Sequence, residues 1–359
     1  MDSIFRVGHS TRSEWSDAVH HCLEQIGAVN DFNLGFLYVV EPFGQVLDLI
    51  LEKLQQETKI RSWTGASALG VVANDVEYFN EQAIVLMVAR LPQGSFETFR
   101  ETFRADKQFA VVHADPRRPD IVQHIHELSN AQEGFLVGGL TTPESRRIDN
   151  RSVADWATTG VAFTETVAVQ TGVTQGCVPI GPIHLITECR DNIVITIDKK
   201  PALDTFKDEI GEVFANHIER TAGYIFAGIP VAGSDTGDYL VRNILGVDLE
   251  NRHLAIESSF ERGDQLMFCK RDPATAQTDL INMAEGVARR LSRPPLGALY
   301  YSCVARGPNL FGTDSEEIKI IQSALGFDNK ALPLVGFFAN GEISHNRLYT
   351  HTGVLTVFC

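Results

Sequence analysis

The sequence has few cysteines and no long apolar run. Its six cysteines are scattered along the chain, and no two of them form a Cys-x-x-Cys pair. This spacing is typical of reduced thiols rather than of a disulfide framework or a zinc site, so we predict no bound metal. No apolar stretch approaches the ~20 residues that a helix needs to span a bilayer, so we predict no membrane segment.

Basic residues are scarce relative to acidic ones. The chain has 31 lysines and arginines against 46 aspartates and glutamates, which gives a net charge of -15. A surface of that sign repels polyanions, and no basic block interrupts it, so we expect neither nucleic acid nor an anionic membrane as a partner. The opening segment, MDSIFRVGHSTRSEW, lacks the basic and apolar regions of a secretory signal. We therefore predict a cytoplasmic location.

Familiar catalytic and nucleotide-binding motifs are missing too. The sequence contains no HExxH, no GxxxxGK[ST], no GxSxG and no GxGxxG after a strand. Cys303 and His351 are residue types that form nucleophile pairs, but nothing in the sequence places them together. We predict no cofactor, and an enzyme with Cys303 as nucleophile is kept as an alternative.

What the sequence does contain is a recurring order of apolar segments. A buried strand is followed by a helix, by a second strand that breaks at a glycine, and by a closing strand. This order occurs at 34–91, at 108–163, more weakly at 192–247, and again at 297–358. We predict an α/β (α+β) fold with four such β-α-β-turn-β units, arranged as two pseudo-symmetric domains of mixed β-sheet covered by helices.

The glycine breaks predict where a ligand binds. Four stretches occupy the same slot in the units: WTGASALGV, VGGLTTPES, AGIPVAGSD and VGFFANGEI. Glycine at a strand end lets the backbone turn tightly or approach a ligand closely. Because open α/β sheets tend to bind ligands outside their strand ends, we expect these loops to frame a cleft between the two halves.

The end of VGFFANGEI, residues 335–343, has two interpretations. Asn340 and Gly341 favour a type I′ hairpin turn, which would make Glu342 a solvated surface carboxylate. Alternatively, Asn340 and Glu342 project into the cleft, where an amide and a carboxylate can together bind an amine or a hydroxyl group.

Three other segments supply candidate ligand contacts. Cys303 ends an apolar strand, which usually means core packing, but Arg306 follows closely and would favour a thiolate or clamp a ligand carboxylate. Gln175 lies in the stiff loop VTQGCVPIGPIH, which is either a linker or a wall of the cleft. Arg242 interrupts the strand DYLVRNILG and is either solvated or paired with a ligand or with an acidic residue such as Asp238.

The order of these segments resembles the FIST family of sensory domains. The similarity runs nearly end to end and includes WTGASALGVV, FLVGGLTT, VTQGCVPIGP, DYLVRNILGVD, YYSCVARGPNLFG and LPLVGFFANGEI. The resemblance implies a helical segment over 1–30, a FIST N-terminal domain over 31–190 and a FIST C-terminal domain over 191–359.

The resemblance also implies a function. It predicts a bacterial sensor that binds a small ligand, an amino acid or a related polar metabolite, between its two domains and reports occupancy rather than catalysing a reaction. It makes Cys303, Arg306, Asn340 and Glu342 the best positions for contact with that ligand. The signal would pass to a separate output protein or through a homodimer, and a protein-interaction module is a further alternative.

Two positions depart from the pattern of the family. Ala305 stands where the family usually has glycine. Tyr349 stands where the family tends to have histidine, and His351 follows two residues later, which makes His351 another candidate contact. We therefore expect a reshaped pocket or a different ligand.

Overall fold

The computed structural model describes residues 4–132, 134–150, 152–154, 156–231, 239–312, 314–326 and 330–359. The chain divides into two compact units. Unit one comprises Met1–Thr174 with Gln277–Cys359, and unit two comprises Gln175–Ala276. Helices and mixed sheets confirm the predicted α+β class. The predicted boundary at residue 190 refers to family domains along the sequence and not to these compact units, so it stays a prediction.

Three segments of unit one fold alike, and we call them repeats one, two and three. The elements of repeat one are β1 (Ile4–Ser10), α1 (Trp15–Ile26), β2 (Leu34–Val40), α2 (Leu47–Thr58), β3 (Ser62–Ala68), β4 (Gly70–Ala73), β5 (Val76–Phe79) and β6 (Ile84–Arg90). The elements of repeat two are β7 (Phe96–Arg100), β8 (Phe109–Ala114), α3 (Ile121–Gln132), β9 (Phe135–Leu140), β10 (Arg147–Asn150), β11 (Ser152–Ala154) and β12 (Thr158–Phe163). A short 3₁₀ helix, Phe43–Val46, precedes α2.

Repeat three is interrupted in sequence by unit two. It begins with β13 (Val169–Gln175). The elements of unit two are β14 (Cys177–Pro179), β15 (His184–Arg190), β16 (Ile193–Ile197), β17 (Lys200–Pro201), α4 (Ala202–Ala215), the 3₁₀ helix Ile218–Thr221, β18 (Ile225–Pro230), β19 (Tyr239–Arg242), β20 (Ile244–Asp248), β21 (His253–Ile256) and β22 (Gln265–Arg271). Repeat three resumes with α5 (Pro273–Arg290), β23 (Gly297–Cys303), α6 (Pro308–Phe311), α7 (Glu316–Leu325), β24 (Leu334–Ala339), β25 (Glu342–Ser344), β26 (Arg347–Tyr349) and β27 (Thr352–Phe358).

The three repeats build three six-stranded sheets with one strand order. The sheets read β1-β6-β2-β3-β10-β11, β7-β12-β8-β9-β25-β26 and β13-β27-β23-β24-β4-β5. In each sheet the two central strands are parallel, and the last two strands are a hairpin contributed by another repeat. This exchange is cyclic: repeat two supplies repeat one, repeat three supplies repeat two, and repeat one supplies repeat three. Unit one therefore has pseudo-threefold symmetry.

Alternation of side chains along β2, β8 and β23, each one of the two parallel strands of its sheet, explains the core. Leu37 and Val39 of β2 pack with α1 and α2, whereas Phe36 and Tyr38 point into a central cluster. The strands β8 and β23 divide their side chains in the same way between their helices and that cluster. Because both faces are covered, every residue of these three strands is buried.

Equivalent polar side chains from the three repeats meet in the central cluster. The Tyr38 hydroxyl lies 3.0 Å from Nε2 of His113 and 2.9 Å from the Tyr301 hydroxyl. Burial lowers the pKa of His113 to about 3, so the ring is neutral. The three residues occupy equivalent positions, because each directly follows the residue that pairs with a glycine of the neighbouring parallel strand. Their meeting point therefore marks the pseudo-threefold axis.

The glycines that were predicted to break the strands lie inside them instead. Gly65, Gly138 and Gly336 lie in β3, β9 and β24, which pair in parallel with β2, β8 and β23 respectively. A Cβ at these positions would lie 1.8, 1.9 and 1.7 Å from carbonyl oxygens of the paired strands, those of Leu37, Val112 and Tyr300 respectively. Glycine is needed because the two backbones approach so closely, which is the alternative role that glycine has in strands.

Gly336→Ala is expected to destabilise the protein by about 3 kcal/mol or to prevent folding, because its methyl group has no room beside the Tyr300 carbonyl. Urea unfolding measures the effect. Gly246→Ala is the control, since a Cβ there meets nothing within 4 Å. Equal stabilities of the two variants would contradict the close approach.

Unit two does not repeat the pattern, so the weak copy predicted at 192–247 is wrong. Its strands form one sheet in the order β19-β18-β22-β15-β16-β21-β20, with β14 beside β22 and β17 beside β16. Every strand pair described in this sheet is antiparallel. The sequence misled because strand-helix-strand order is the same whether the strands pair parallel or antiparallel. The stretch AGIPVAGSD lies partly outside the described residues.

Candidate functional site

The carboxyl end of β23 begins the candidate site. Cys303 is the last residue of the strand, and a 2.8 Å hydrogen bond from the Arg306 backbone N–H to the Cys303 carbonyl closes a tight turn. This turn carries Arg306 back into the protein interior, where its side chain has no exposed surface. A buried guanidinium is unfavourable unless it is paired, so its partners decide what the site can do.

Glu317 of α7 is the first partner of Arg306. Nε of Arg306 donates to Oε1 of Glu317 at 2.7 Å, and both side chains are about 1% exposed. Glu317 also accepts hydrogen bonds from the Tyr300 hydroxyl, from Ser302 Oγ at 2.8 Å and from the Gly307 N–H at 3.1 Å. The carboxylate of Glu317 is therefore fully satisfied. The two Nη atoms of Arg306 are buried and have no hydrogen-bond partner.

Glu342 enters the site from another sheet. Asn340 and Gly341 connect β24 to β25. β25 pairs with β9 and β26 and does not pair with β24. The predicted type I′ hairpin is therefore wrong, because Asn340 and Gly341 carry the chain from one sheet to the next. Asn340 is exposed, whereas Glu342 has no exposed surface, so the structure does not bring together the two side chains that were predicted to contact a ligand jointly.

One carboxyl oxygen of Glu342 accepts hydrogen bonds and the other does not. Oε2 accepts hydrogen bonds from Thr352, at 3.1 Å from its backbone N–H and 2.7 Å from its hydroxyl. The Cys303 thiol is close enough to lower the pKa of Glu342 weakly, but Oε1 has no hydrogen-bond partner. Like Arg306, Glu342 thus presents a buried polar group with unused hydrogen-bonding capacity.

Burial dominates the protonation of this centre. It raises the pKa of Glu342 to about 8, although Thr352 and the charge of Arg306 act against it. It also raises the pKa of Glu77 to about 8, helped by the nearby charge of Glu317. Burial and the charge of Glu342 raise the pKa of the Cys303 thiol well above its usual range. At neutral pH the centre therefore contains one ion pair and three mostly protonated acids.

Glu77 reaches the same region from repeat one. Its Oε1 accepts a 3.1 Å hydrogen bond from the Ile318 backbone N–H at the start of α7, and its Oε2 is buried without a partner. The charge of Arg306 lowers the pKa of Glu77, which places the guanidinium within electrostatic reach of a third carboxyl group. The centre therefore draws on residues that are far apart in sequence.

Four of the predicted contact residues come together in unit one. They are Cys303, Arg306, Glu342 and His351, the last of which contributes a backbone hydrogen bond to Cys303. The guanidinium does not activate the thiol as predicted, because burial outweighs its charge and Glu317 engages it.

The remaining predicted residues lie elsewhere. Asn340 is on the surface, where its backbone N–H donates to the Leu140 carbonyl at 2.8 Å. Gln175 and Arg242 belong to unit two, where they hydrogen-bond the carbonyls of Tyr239 and Val241 at 3.3 and 2.8 Å. Asp238 lies outside the described residues. The roles of all seven predicted residues stay predictions.

The pseudo-symmetry supplies an internal comparison for this centre. The strand registers show which positions of the three repeats are equivalent. Glu342 of repeat three corresponds to Arg147 of repeat two and Val71 of repeat one. Cys303 corresponds in the same way to Asp115 and Val40. In repeat two, Nη2 of Arg147 bonds Oδ2 of Asp115 at 2.9 Å, and its other nitrogens also have partners. In repeat one both positions are valine. Among these described positions, only Glu342 of repeat three has a buried side-chain oxygen without a hydrogen-bond partner, so the fold does not require such an unpaired group.

Sequence reasoning missed Glu317, Glu77 and Thr352. Glu317 carried a signal, because it occupies the buried face of α7 together with Ile321 and Leu325 at helical spacing. Glu77 and Thr352 carried none, since they reach the centre through strand pairing. No group of His, Cys, Asp and Glu side chains in the described part of the chain is placed to hold a metal ion.

Comparison with known proteins identifies the family. The FIST N domain matches residues 33–200, and the FIST C domain matches residues 202–345. The chain belongs to the FIST family. FIST domains are associated with sensory signal transduction. No helix among the described residues of this FIST protein is both long enough and apolar enough to cross a membrane.

Two relatives of this FIST protein are both described as uncharacterised. It is 29% identical over 343 residues to an uncharacterised protein of Mycobacterium tuberculosis H37Rv, with 88% of each chain covered. It is 26% identical over 339 residues to an uncharacterised protein of Mycobacterium bovis, with 87% of this chain and 86% of that one covered. The solved structure of T. maritima PurL complexed with ATP covers 99% of this chain and 71% of its own, at 9% identity and a TM-score of 0.25. That score is too low to support an argument.

Proposed function

We propose that this protein is a sensor whose buried centre at Cys303, Arg306 and Glu342 binds a small zwitterionic metabolite, such as an amino acid. The observation that carries the proposal is that both Nη atoms of Arg306 and Oε1 of Glu342 are buried without hydrogen-bond partners. Leaving such groups unpaired is unfavourable. A ligand that completes their hydrogen bonds removes this penalty.

Each unpaired group matches one end of a zwitterion. The Nη atoms of Arg306 form a planar fork that suits a carboxylate, and Glu317 already holds this fork through Nε. Oε1 of Glu342 can accept hydrogen bonds from an ammonium group, while Thr352 holds the other oxygen. Glu77 comes from the segment that matches FIST N, whereas Arg306 and Glu342 come from the segment that matches FIST C. The ligand would therefore bind where the two family segments meet within unit one.

Burial of the centre provides a route to signalling. A ligand can reach fully buried groups only if part of the lining moves, so the empty and occupied states differ in conformation. We infer that this difference is read by a separate output protein or by a second copy of the chain, in the cytoplasm. The enzyme alternative receives no support from the geometry, because a buried and protonated Cys303 thiol is a poor nucleophile.

A two-ended ligand test addresses the proposal directly. The twenty common L-amino acids would be screened by thermal shift, and any that stabilise the protein would be measured by calorimetry. The methyl ester and the desamino analogue of a binding amino acid should each bind about tenfold more weakly or worse, because each lacks one charged end. If both analogues bind as well as the parent, recognition by Arg306 and Glu342 is wrong.

Ligand binding is expected to release a proton. In the empty centre the pKa of Glu342 is about 8, so at about pH 6.5 its carboxyl group is protonated. An ammonium group beside it favours the ionised form, so the affinity should rise about tenfold per pH unit below pH 8 and level off above it. Calorimetry in two buffers of different ionisation enthalpy counts the released protons. A pH-independent affinity would remove Glu342 from the binding site.

A further inference from the structure

A separate cavity lies beyond the other end of β23. Its volume is about 400 Å³, and its lining includes Leu296, which precedes the strand that Cys303 ends. A strand of this length extends roughly 20 Å, so the cavity is distinct from the centre at Arg306. Unlike that centre, it is formed around apolar side chains.

All three repeats of unit one contribute to this cavity. Leu91 directly follows β6, Val167 follows β12, and Phe358 ends β27, which are the three closing strands. Segments next to strands of all three repeats thus line this cavity, and we call it the axial cavity.

The floor of the axial cavity is apolar and well packed. Phe5, Leu91, Val167 and Phe358 line it and are at most 8% exposed. Phe5 and Phe358 stack with ring centroids 4.9 Å apart, which gives the floor a rigid aromatic surface. Concave apolar sites of this size are typical of small-molecule binding.

One cation stands at the rim of the axial cavity. Arg293 lines it, is exposed, and forms no hydrogen bond or ion pair with any residue that the structure describes. Its charge lowers the pKa of the neighbouring Cys359 thiol against the raising effect of burial, so the guanidinium lies close to the cavity mouth. In a chain with a net charge of -15, an unpaired cation over an apolar floor favours an anionic ligand.

We propose that the axial cavity binds a small amphipathic carboxylate. The apolar body of the ligand lies against Phe5, Val167 and Phe358, and its carboxylate pairs with Arg293. This site is independent of the proposed function at Arg306, so either proposal can fail alone.

Octanoate is the probe for this site, and its binding is measured by calorimetry on the full chain. Octanoate should bind the wild-type protein, and each methylene group removed, down to butanoate, should weaken binding about two- to fourfold. Arg293→Gln should weaken octanoate binding about tenfold, because the pairing charge is lost. Arg289→Gln is the matched control, since Arg289 is exposed on α5 and, within the described part of the chain, forms its ion pair with Glu285 alone, at 3.4 Å.

A second variant tests the location and keeps the fold. Ala168 is exposed at the rim, so Ala168→Trp should fill the mouth and abolish octanoate binding without lowering the melting temperature. Absence of octanoate binding to the wild type would overturn the proposal. It would also be overturned if octanol bound as tightly as octanoate, or if Arg293→Gln and Ala168→Trp left the affinity unchanged.

Discussion

Glu342→Gln is expected to weaken ligand binding by about a hundredfold and, at the same time, to stabilise the empty protein above pH 8. Glutamine has nearly the shape of a protonated glutamate and keeps an acceptor for Thr352. It cannot become an anion, so it cannot pair with the ammonium group of the ligand. A residue required only for folding would not show loss of binding together with gain of stability.

The direction of the stability change follows from the pKa of Glu342. Folding raises this pKa from 4.5 to about 8, so the folded state holds the proton more tightly than the unfolded state does. The contribution of Glu342 to stability is therefore complete below pH 4.5, declines as the pH rises, and is lost above pH 8. A shift of this size corresponds to about 5 kcal/mol, of which relaxation of the site will recover a part.

Urea unfolding between about pH 5 and about pH 9 measures this prediction. The wild type should lose stability with a slope of up to two protons, since the pKa of Glu77 is also raised to about 8. In Glu342→Gln, only the pH dependence of stability that comes from Glu77 should remain. Glu77→Gln is the matched control. If the slope is unchanged in Glu342→Gln, the carboxyl group of Glu342 is solvated rather than buried.

Breaking the pair of Arg306 and Glu317 is expected to destabilise the protein by about 3–5 kcal/mol in either single variant, Arg306→Leu or Glu317→Leu. Each change leaves an opposite charge buried without its partner. The double variant should lose much less than the sum of the two, because it leaves no unpaired charge. The Tyr300 hydroxyl and the Gly307 N–H would still lack an acceptor, so recovery should be incomplete.

A double-mutant cycle by urea unfolding isolates the coupling of this pair. The exposed pair Lys53 and Glu57, four residues apart on α2 with 2.8 Å between Nζ and Oε1, is the control. Its coupling should be only about 0.3–0.5 kcal/mol, as for other solvated helix pairs. A coupling as small as this for Arg306 and Glu317 would show that water reaches the centre.

Comparison of the three repeats supports the proposal that this centre binds a ligand rather than only stabilising the fold. The equivalent site in repeat two holds Arg147 and Asp115 in a complete hydrogen-bonded pair, and the one in repeat one is apolar. Both arrangements, the hydrogen-bonded pair and the apolar contact, are therefore compatible with this fold. Repeat three has glutamate in place of the arginine and cysteine in place of the aspartate, and Oε1 of its glutamate is buried without a hydrogen-bond partner.

Local patterns in the sequence were enough to predict most elements of unit one. The apolar runs at Leu34–Val40, Phe109–Ala114 and Gly297–Cys303 are strands, as their composition indicated, and a helix follows each of them, as the order of segments predicted. These features depend on neighbours a few residues apart, which the sequence displays directly. The same local order also predicted the family, since a shared succession of motifs needs no knowledge of how the strands pair.

Strand pairing was decided only in three dimensions. It set Gly336 inside a strand, exchanged the hairpins among the repeats, made unit two antiparallel, and directed Asn340 outward but Glu342 inward. It also brought Glu77 to Ile318, 241 residues away along the chain. A periodicity gives the face of a strand but not its neighbour, and the electrostatics of a buried carboxyl group depend on neighbours that come from distant segments.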